Sequence, residues 1–413
     1  MRRGLLALIA IVGALITLAG VLITLPSGAL AASPPRLGVS AAALIEESTG
    51  QELYGSNARA RIAIASTTKL MTALLTLEHV HRLSRMFTQN NYYAASVDSQ
   101  IGLVPGERMS VHDLLLALLL PSADDAAEDL AYNLGRGSVP YFVAMMNVRA
   151  RELGLSHTHY STPIGLDTPG NYSSAWNLVE LARYLLRTSP FFARVVAASS
   201  AVLHTGDHVR FVINRNDLVG HVPWINGVKT GHTLDAGYVL VGSGTKSGMT
   251  LISVVLGTSS EAARDANTLA LLNYGFANFR LRKPVVRGTV LARPPVRDRP
   301  GVRAEVIAAD TYTHVFARGT RLRLRLELPA QLAGPLPRHA VVGKVVVLAD
   351  GRAAGSVPLL LARALPAVKP VTVSFGGLSG PITLLWLVLP VGAVVGLLLL
   401  RRERAKGRRA EPA

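Results

Sequence analysis

The residues with the clearest chemical potential are a serine and a lysine three positions apart, Ser66 and Lys69. Residues three apart on a helix share a face, so the hydroxyl and the amine are expected to touch. A serine beside an unprotonated lysine can act as a nucleophile without histidine. Alone the pattern is weak, because it also occurs by chance and its serine can simply cap a helix. Its meaning therefore depends on the rest of the chain.

Two further polar patches follow in order. Ser122 and Asp124 lie between an apolar helix predicted over 114–120 and another predicted over 126–134. Such a polar triplet can aim side chains into a cleft, although alone it is better explained as a capped helix junction. Lys229-Thr230-Gly231 lies beside a predicted strand edge, where Gly231 lets a ligand approach the backbone closely. The three patches together are candidates for one site.

The elements that must position these patches alternate between strands and helices. Strands are expected over 39–45 and 52–54, joined by a polar turn, and again over 238–242 and 250–256. The helix predicted to begin at Ser66 is apolar on nearly every side, so we expect it to be buried. Further helices are predicted over 140–153, 175–186 and 268–276. A buried helix with a polar exposed tip makes sense as a reaction site.

Composition excludes several classes of function. With 413 residues the chain is expected to form two folded units. The chain has 43 Lys+Arg and 26 Asp+Glu, a net charge of +17, which indicates an anionic binding partner or surface. Nucleic acid is not the expected partner, because aromatic residues make up only 6% of the chain and no RNA-binding cluster or recognition helix is present. There is no cysteine for a disulfide, a thiol nucleophile or a cysteine-ligated zinc. No acidic partner completes a zinc signature around the paired histidines, so neither a metal nor a cofactor is expected; these pairs are His79/His81, His157/His159 and His204/His208.

Both ends of the chain have sequence features typical of segments that enter or cross a membrane. Residues 1–31 are predicted to be a signal peptide with cleavage after Ala31, although the long apolar run also suits an uncleaved anchor. A transmembrane helix is predicted over 381–400, and the basic tail 401–413 is then cytoplasmic by the positive-inside rule. Between them we predict a catalytic domain over 32–280, a β-rich domain over 281–370 and a linker over 371–380. Everything between the two ends would lie outside the cytoplasm.

The three patches together match the Ser-x-x-Lys, Ser-x-Asn and Lys-Thr-Gly set of penicillin-binding proteins and class A β-lactamases. Over residues 38–280 the chain resembles the D-alanyl-D-alanine carboxypeptidases, the low-molecular-mass penicillin-binding proteins. The resemblance extends to the stretches around the patches, namely 65–73, 105–107, 118–122, 163–167, 214–216, 227–233 and 236–238. It implies an α+β, β-lactamase/transpeptidase-like domain, with a central antiparallel sheet flanked by helices plus an all-helical cluster, followed by a small all-β domain and the C-terminal transmembrane helix.

The resemblance also implies roles for residues. Ser66 would attack the carbonyl between two terminal D-alanines of a peptidoglycan stem peptide, and Lys69 would take its proton. Ser122 would relay a proton to the departing D-alanine. The substrate's free carboxylate would be held by Lys229, Thr230 and Arg215, with Gly231 and Thr233 beside it. The oxyanion would be bound by the backbone N–H groups of Ser66 and His232. The expected partners are the stem peptide, β-lactam antibiotics as inhibitors and the membrane.

One departure from the family pattern falls at position 124, where the family has asparagine and this chain has Asp124. An ionised Asp124 can only accept hydrogen bonds, and it would stabilise the charged form of Lys69 and so weaken the base. A smaller departure is Thr162, where the family often has asparagine. Three hypotheses therefore remain open: a membrane-attached D,D-carboxypeptidase acting in peptidoglycan biosynthesis and cell shape, a D,D-endopeptidase or β-lactamase, and a weakly active or inactive wall-binding or penicillin-sensing module.

Overall fold

The computed structural model describes residues 33–95 and 98–367. The predicted signal peptide, the linker 371–380, the helix 381–400 and the basic tail all lie outside these residues. Across the described ranges, none of the helices combines the length and apolar character that crossing a membrane requires.

The helices follow the predicted pattern with shifted ends. A 3₁₀ turn at Ala65–Thr68 leads into α1 (Lys69–His79), and the later helices are α2 (Val111–Leu119), α3 (Asp124–Leu134), α4 (Val139–Glu152), α5 (Ala175–Thr188), α6 (Pro190–Val196), α7 (Leu218–His221) and α8 (Glu261–Asn278). The helix predicted to begin at Ser66 therefore starts as a 3₁₀ turn, with α-helical bonding only from Lys69. The helix predicted from 126 begins at Asp124, which places this carboxyl in its first turn.

The strands in chain order are β1 (Ala41–Glu46), β2 (Glu52–Ser56), β3 (Met86–Thr88), β4 (Arg108–Ser110), β5 (Ser200–Leu203), β6 (Arg210–Ile213), β7 (Ile225–Thr233), β8 (Gly237–Lys246), β9 (Met249–Thr258), β10 (Phe279–Val285), β11 (Val290–Ala292), β12 (Val306–Ala308), β13 (Tyr312–Ala317), β14 (Leu322–Glu327), β15 (Val341–Ala349) and β16 (Arg352–Leu361). The strands predicted over 39–45, 52–54, 238–242 and 250–256 are confirmed as β1, β2, β8 and β9, with ends displaced by a few residues.

The first compact unit is an α+β domain around a five-stranded antiparallel sheet of order β2-β1-β9-β8-β7. Successive residues of a strand point to opposite faces, and both faces of β1 are buried because Ala43 and Ala42 pack into two different apolar clusters. Helix α5 packs against β1 and β9 within the first cluster, and α8 packs against β8 and β9 within the second. Helices α1 to α4 pack on one another as the all-helical part of the domain. The predicted α+β class is confirmed.

A buried ion pair ties the β5–β6 hairpin to the turn before β4. Glu107 Oε1 lies 2.7 Å from Arg210 Nη1, and the two side chains are 0% and 7% exposed. Burial raises the pKa of Glu107, but hydrogen bonds from Arg210 and from the backbone of Asp207 and Val104 outweigh it, so the pKa lies below its ordinary value. A depressed carboxyl pKa stabilises the fold above the unfolded pKa, and this contribution is lost as the pH falls through the folded pKa.

The second compact unit comprises 285–312, 323–348 and the described residues from 352 onward. It contains a five-stranded sheet of order β11-β12-β16-β15-β14, as the β-branched runs in this region predict. The chain leaves this unit twice, because 313–322 and 349–351 group with the first unit. There β13 pairs with β10, and the Gln51 side chain bonds both backbone groups of Val315. Local residue patterns carry no signal for such long-range pairing, and from the sequence alone 314–316 are predicted to belong to the β-rich domain.

Candidate active site

Ser66 lies at the centre of the 3₁₀ turn that precedes α1, and its side chain is half-buried. The preceding Ala65 has φ of +47°, a left-handed conformation that costs a non-glycine residue about 1–2 kcal/mol. Thr67 donates a hydrogen bond from Oγ1 to the backbone oxygen of Ile64 at 2.6 Å, which fixes the start of the turn. The serine is therefore presented by a tight, strained and internally bonded segment.

Lys69 is fully buried one turn further on. Its Nζ lies 2.8 Å from Ser66 Oγ, 2.8 Å from the backbone oxygen of Ile164 and 2.5 Å from Asp124 Oδ1. Burial lowers the pKa of Lys69, and although Asp124 acts in the opposite direction the pKa stays below its ordinary value. The predicted contact between Ser66 and Lys69 is present, and burial shifts the lysine toward its basic, neutral form.

Asp124 and Ser122 are positioned by the junction between α2 and α3. Ser122 has φ of +66°, and the backbone N–H of Asp124 donates to the Ser99 oxygen at 2.7 Å. Burial raises the pKa of Asp124, although Lys69 opposes the shift. The junction turns sharply enough to aim Ser122 and Asp124 toward two different lysines.

Lys229 lies in the middle of β7 and is 1% exposed. Its Nζ donates to Ser122 Oγ at 2.8 Å and to the backbone oxygen of Thr230 at 2.9 Å. Burial lowers its pKa well below the ordinary value, and the cations Lys69 and Arg215 lower it further. Two buried lysines with depressed pKa values thus lie close enough to interact, each bound to a serine hydroxyl.

Two glycines allow the backbone segments of the site to approach closely. A Cβ placed on Gly231 would lie 2.8 Å from the backbone nitrogen of Ser66. Gly165 has φ of +94°, and a Cβ there would overlap the backbone oxygen of Ala65. Real Cβ atoms do not approach so closely, so both positions require glycine, and β7 and the 162–167 loop can press against the serine turn.

The remaining predicted residues lie on or beside β7. Thr230 is buried, whereas His232 is exposed and stacks on Tyr238 with ring centroids 4.0 Å apart. Thr233 Oγ1 accepts a hydrogen bond from the Ala236 backbone at 3.2 Å. Arg215 is exposed, and its backbone nitrogen donates to the Leu120 oxygen at 3.1 Å, which attaches its loop to the end of α2. The structure gathers all the residues singled out in the sequence into one region.

Sequence analysis missed two groups. The backbone oxygen of Ile164 bonds Lys69 from a loop, and no residue type marks such a carbonyl. Glu128 follows Asp124 by one helical turn and is 9% exposed; burial, and then the charge of Asp124, raise its pKa to about 7. Its spacing of four from Asp124 was a usable signal, because such residues share a helix face.

The arrangement supports acyl transfer by an activated serine. A neutral amine at hydrogen-bonding distance from a hydroxyl can take its proton as the oxygen attacks a carbonyl. In the described part of the chain no group of three or more His, Cys, Asp or Glu side chains is arranged to hold a metal ion.

Comparison with known proteins places the chain among related sequences and structures. Residues 29–260 match the family model of the D-alanyl-D-alanine carboxypeptidases, Peptidase S11. D-alanyl-D-alanine carboxypeptidase DacF of Bacillus subtilis is 30% identical over 325 residues, 77% of this chain and 83% of that protein. D-alanyl-D-alanine carboxypeptidase of Streptomyces sp. K15 is 32% identical over 278 residues, 61% of this chain and 94% of that one. The crystal structure of penicillin-binding protein 5 from Haemophilus influenzae superposes with a TM-score of 0.66 at 30% identity, covering 81% of this chain and 99% of that chain.

Proposed function

Because the chain belongs to the D-alanyl-D-alanine carboxypeptidase family, we propose that Ser66 is the nucleophile and Lys69 the base of its reaction. The protein is a serine-type hydrolase that removes the terminal D-alanine from peptidoglycan stem peptides and binds penicillins. The observation that carries the residue assignment is the 2.8 Å contact between Ser66 Oγ and the buried amine of Lys69. A lysine kept below its ordinary pKa can accept the serine proton.

In the acylation step Ser66 Oγ attacks the carbonyl carbon between the two D-alanines while its proton moves to Lys69. The developing oxyanion is bound by the backbone N–H groups of Ser66 and His232. Support for this placement comes from Gly231, which brings β7 against the Ser66 nitrogen. Backbone donors fixed in place before the reaction stabilise the transition state without further reorganisation.

The substrate carboxylate is held by Lys229, Thr230 and Arg215, and Gly231 and Thr233 line the same strand. Ser122 lies 2.8 Å from Lys229 Nζ, so it can pass a proton to the leaving D-alanine nitrogen as the C–N bond breaks. Water then attacks the acyl-enzyme and releases the shortened stem peptide. Burial lowers the pKa of Lys229, and an incoming carboxylate would favour its charged form by pairing with it.

The assignment of Ser66 is tested by labelling the purified protein with a fluorescent penicillin and assaying D-alanine release from a peptide ending in D-Ala-D-Ala. The wild-type protein should form a stable adduct and release D-alanine. Ser66→Ala should do neither, because the acyl-enzyme cannot form. Ser156→Ala removes an exposed serine and serves as the matched control, with both activities retained. Label on the Ser66→Ala protein, or none on the wild type, would contradict the assignment.

We further propose the layout of the full chain: an exported catalytic domain, a β-rich domain and a single C-terminal membrane span over 381–400 with a cytoplasmic tail. The support is the uncharged run from Ile382 to Leu400 and the six basic residues that follow it closely. The penicillin-labelled full chain should sediment with membranes, whereas a chain ending at residue 367 should be released. If the shortened chain stays with the membranes, the anchor lies at the N-terminal segment instead.

A further inference from the structure

A carboxyl oxygen of Asp124 lies 2.5 Å from the amine of Lys69, and this contact indicates a role for the carboxyl. We propose that Lys69 and Asp124 share one proton and that the pair reacts in its neutral form, with the amine free and the carboxyl protonated. The inference rests on the proposed function, because it takes Lys69 as the base for Ser66. Asp124 then still weakens the base, but it also holds the proton that the base must lose.

The contacts of Lys69 can be satisfied by the neutral form as well as by the charged one. Its Nζ has three neighbours within hydrogen-bonding distance: Ser66 Oγ, the Ile164 oxygen and Asp124 Oδ1. A charged ammonium group would donate to all three, leaving the Ser66 proton directed elsewhere. A neutral amine has two hydrogens and one lone pair, so it can donate to Ile164 and Asp124 while accepting from Ser66. Only the second arrangement points the serine proton at its acceptor.

The environment reduces the free-energy advantage of the ionic pair. The Lys69 side chain is fully buried and that of Asp124 is 7% exposed, so the ionic form has lost nearly all its hydration. Removing two charges from water costs more than their attraction returns unless further hydrogen bonds compensate. Burial accordingly raises the pKa of Asp124 and lowers the pKa of Lys69, which draws the ionic and neutral forms together.

Other charged groups act on the pair from each side. Asp98 in the preceding loop raises the pKa of Asp124, whereas Lys229 on β7 lowers it. Arg215 lowers the pKa of Lys69, and the start of α3 favours a carboxylate at Asp124. The titratable groups that interact with the pair are Tyr92, Asp98, Glu128, Arg215 and Lys229. Cations and anions both lie around the pair, and burial is the first cause of the pKa shift of each member.

The proton transfers balance. A proton moves from the Lys69 ammonium to the Asp124 carboxylate, giving an amine and a carboxylic acid. The amine takes the Ser66 proton as the Oγ–C bond forms. As the C–N bond breaks, Ser122 gives a proton to the leaving nitrogen, and the proton of the new ammonium replaces it. Meanwhile the Asp124 O–H can donate to a substrate carbonyl, as the asparagine amide of the family pattern would. Asp124 is thus a positioning and proton-holding residue in this account.

The proposal is tested by the pH dependence of penicillin acylation in the full chain, comparing wild type with Asp124→Asn. If the pair reacts with one shared proton, the acid limb of the wild type has its midpoint at lower pH than that of the variant, and the two profiles converge at acid pH. The plateau acylation rate of the wild type should be lower than that of the variant, by about tenfold for each pH unit between the two midpoints. The wild-type rate should also fall at alkaline pH, where the shared proton is lost, and the variant rate should not.

A wild-type midpoint at the same or a higher pH than that of Asp124→Asn would overturn the proposal, because Lys69 would then react only with Asp124 ionised or without coupling to it. Asp129→Asn is the matched control, because it makes the same change at another buried carboxyl of α3. Asp129 accepts a hydrogen bond from Asn133. The acid limb of this variant should match that of the wild type. Thermal unfolding of each variant checks the fold. Absence of any adduct in the wild type would count against the proposed function, whereas an adduct with the opposite shift of midpoints would count against this inference alone.

Discussion

Replacing Lys69 with methionine should slow acylation of Ser66 by about 10²–10⁴-fold, the range that a positioned general base contributes. Methionine keeps an unbranched side chain in the buried space but cannot take the serine proton. Stopped-flow measurement of penicillin acylation gives the rate directly. A loss of less than about tenfold would show that another group accepts the proton, and Lys69 would then have a structural role.

The same variant separates catalysis from stability. In Lys69→Met the buried Asp124 loses its partner 2.5 Å away, and breaking a buried pair on one side costs about 3–5 kcal/mol of unfolding free energy. Because burial already raises the Asp124 pKa, the unpaired carboxyl should be protonated in the fold, so the variant should gain stability as the pH falls from 7 toward the ordinary carboxyl pKa.

The double variant Lys69→Met/Asp124→Asn removes both charges and serves as the control. It should recover most of the lost stability in urea unfolding without recovering activity. If the double variant remains as unstable as Lys69→Met, the loss reflects packing of the lysine chain and not the unpaired carboxyl. If it regains acylation, the assignment of Lys69 as base is wrong.

Gly165→Ala should damage both the stability and the activity of the first unit. The position has φ of +94°, and a Cβ would overlap the Ala65 oxygen and lie 2.8 Å from Thr68 Oγ1. The left-handed conformation and the steric overlap together should cost about 2–4 kcal/mol of unfolding free energy. Because the neighbouring Ile164 oxygen bonds Lys69, the forced shift should also slow acylation about 10²-fold, the effect expected from a displacement near 1 Å.

Gly154→Ala is the matched control for the backbone conformation. Gly154 has φ of +72°, and a Cβ there has no heavy atom within 4 Å. That variant should lose only the conformational part, about 1 kcal/mol, with acylation unchanged. Equal losses in the two variants, measured by urea unfolding and penicillin acylation, would show that the contact with Ala65 does not position the serine turn.

The contacts between residues close in the chain could be predicted from the sequence. Helical spacing alone predicts the contact of Ser66 with Lys69, and the helix breaks around Pro121 predict the junction that carries Ser122 and Asp124. The resemblance to a family was needed to bring Lys229 to the same cleft, because its partner Ser122 is 107 positions away. Contacts between segments so far apart depend on the path of the whole chain, which no local pattern encodes.

The backbone contacts of the site and the pairing of β13 with β10 could not be predicted from the sequence. The Ile164 carbonyl has no residue type that marks it, and the left-handed conformation of Ala65 runs against the preference of alanine. Similarly, the β-branched residues of β13 predict a strand but not its partner β10. Strand propensity reflects how a side chain fits a pleated surface, whereas the choice of partner is set by tertiary packing.

Strand β7 ends the sheet of the first unit, yet Gly227 to Gly231 are all buried. An open strand edge normally invites pairing with another copy of the chain and so promotes aggregation. Here the serine turn meets the edge at Gly231, and Ser122 meets Lys229 on the same strand. The segments that position the catalytic side chains therefore also cover this edge of the sheet, so catalysis and protection of the strand edge depend on the same contacts.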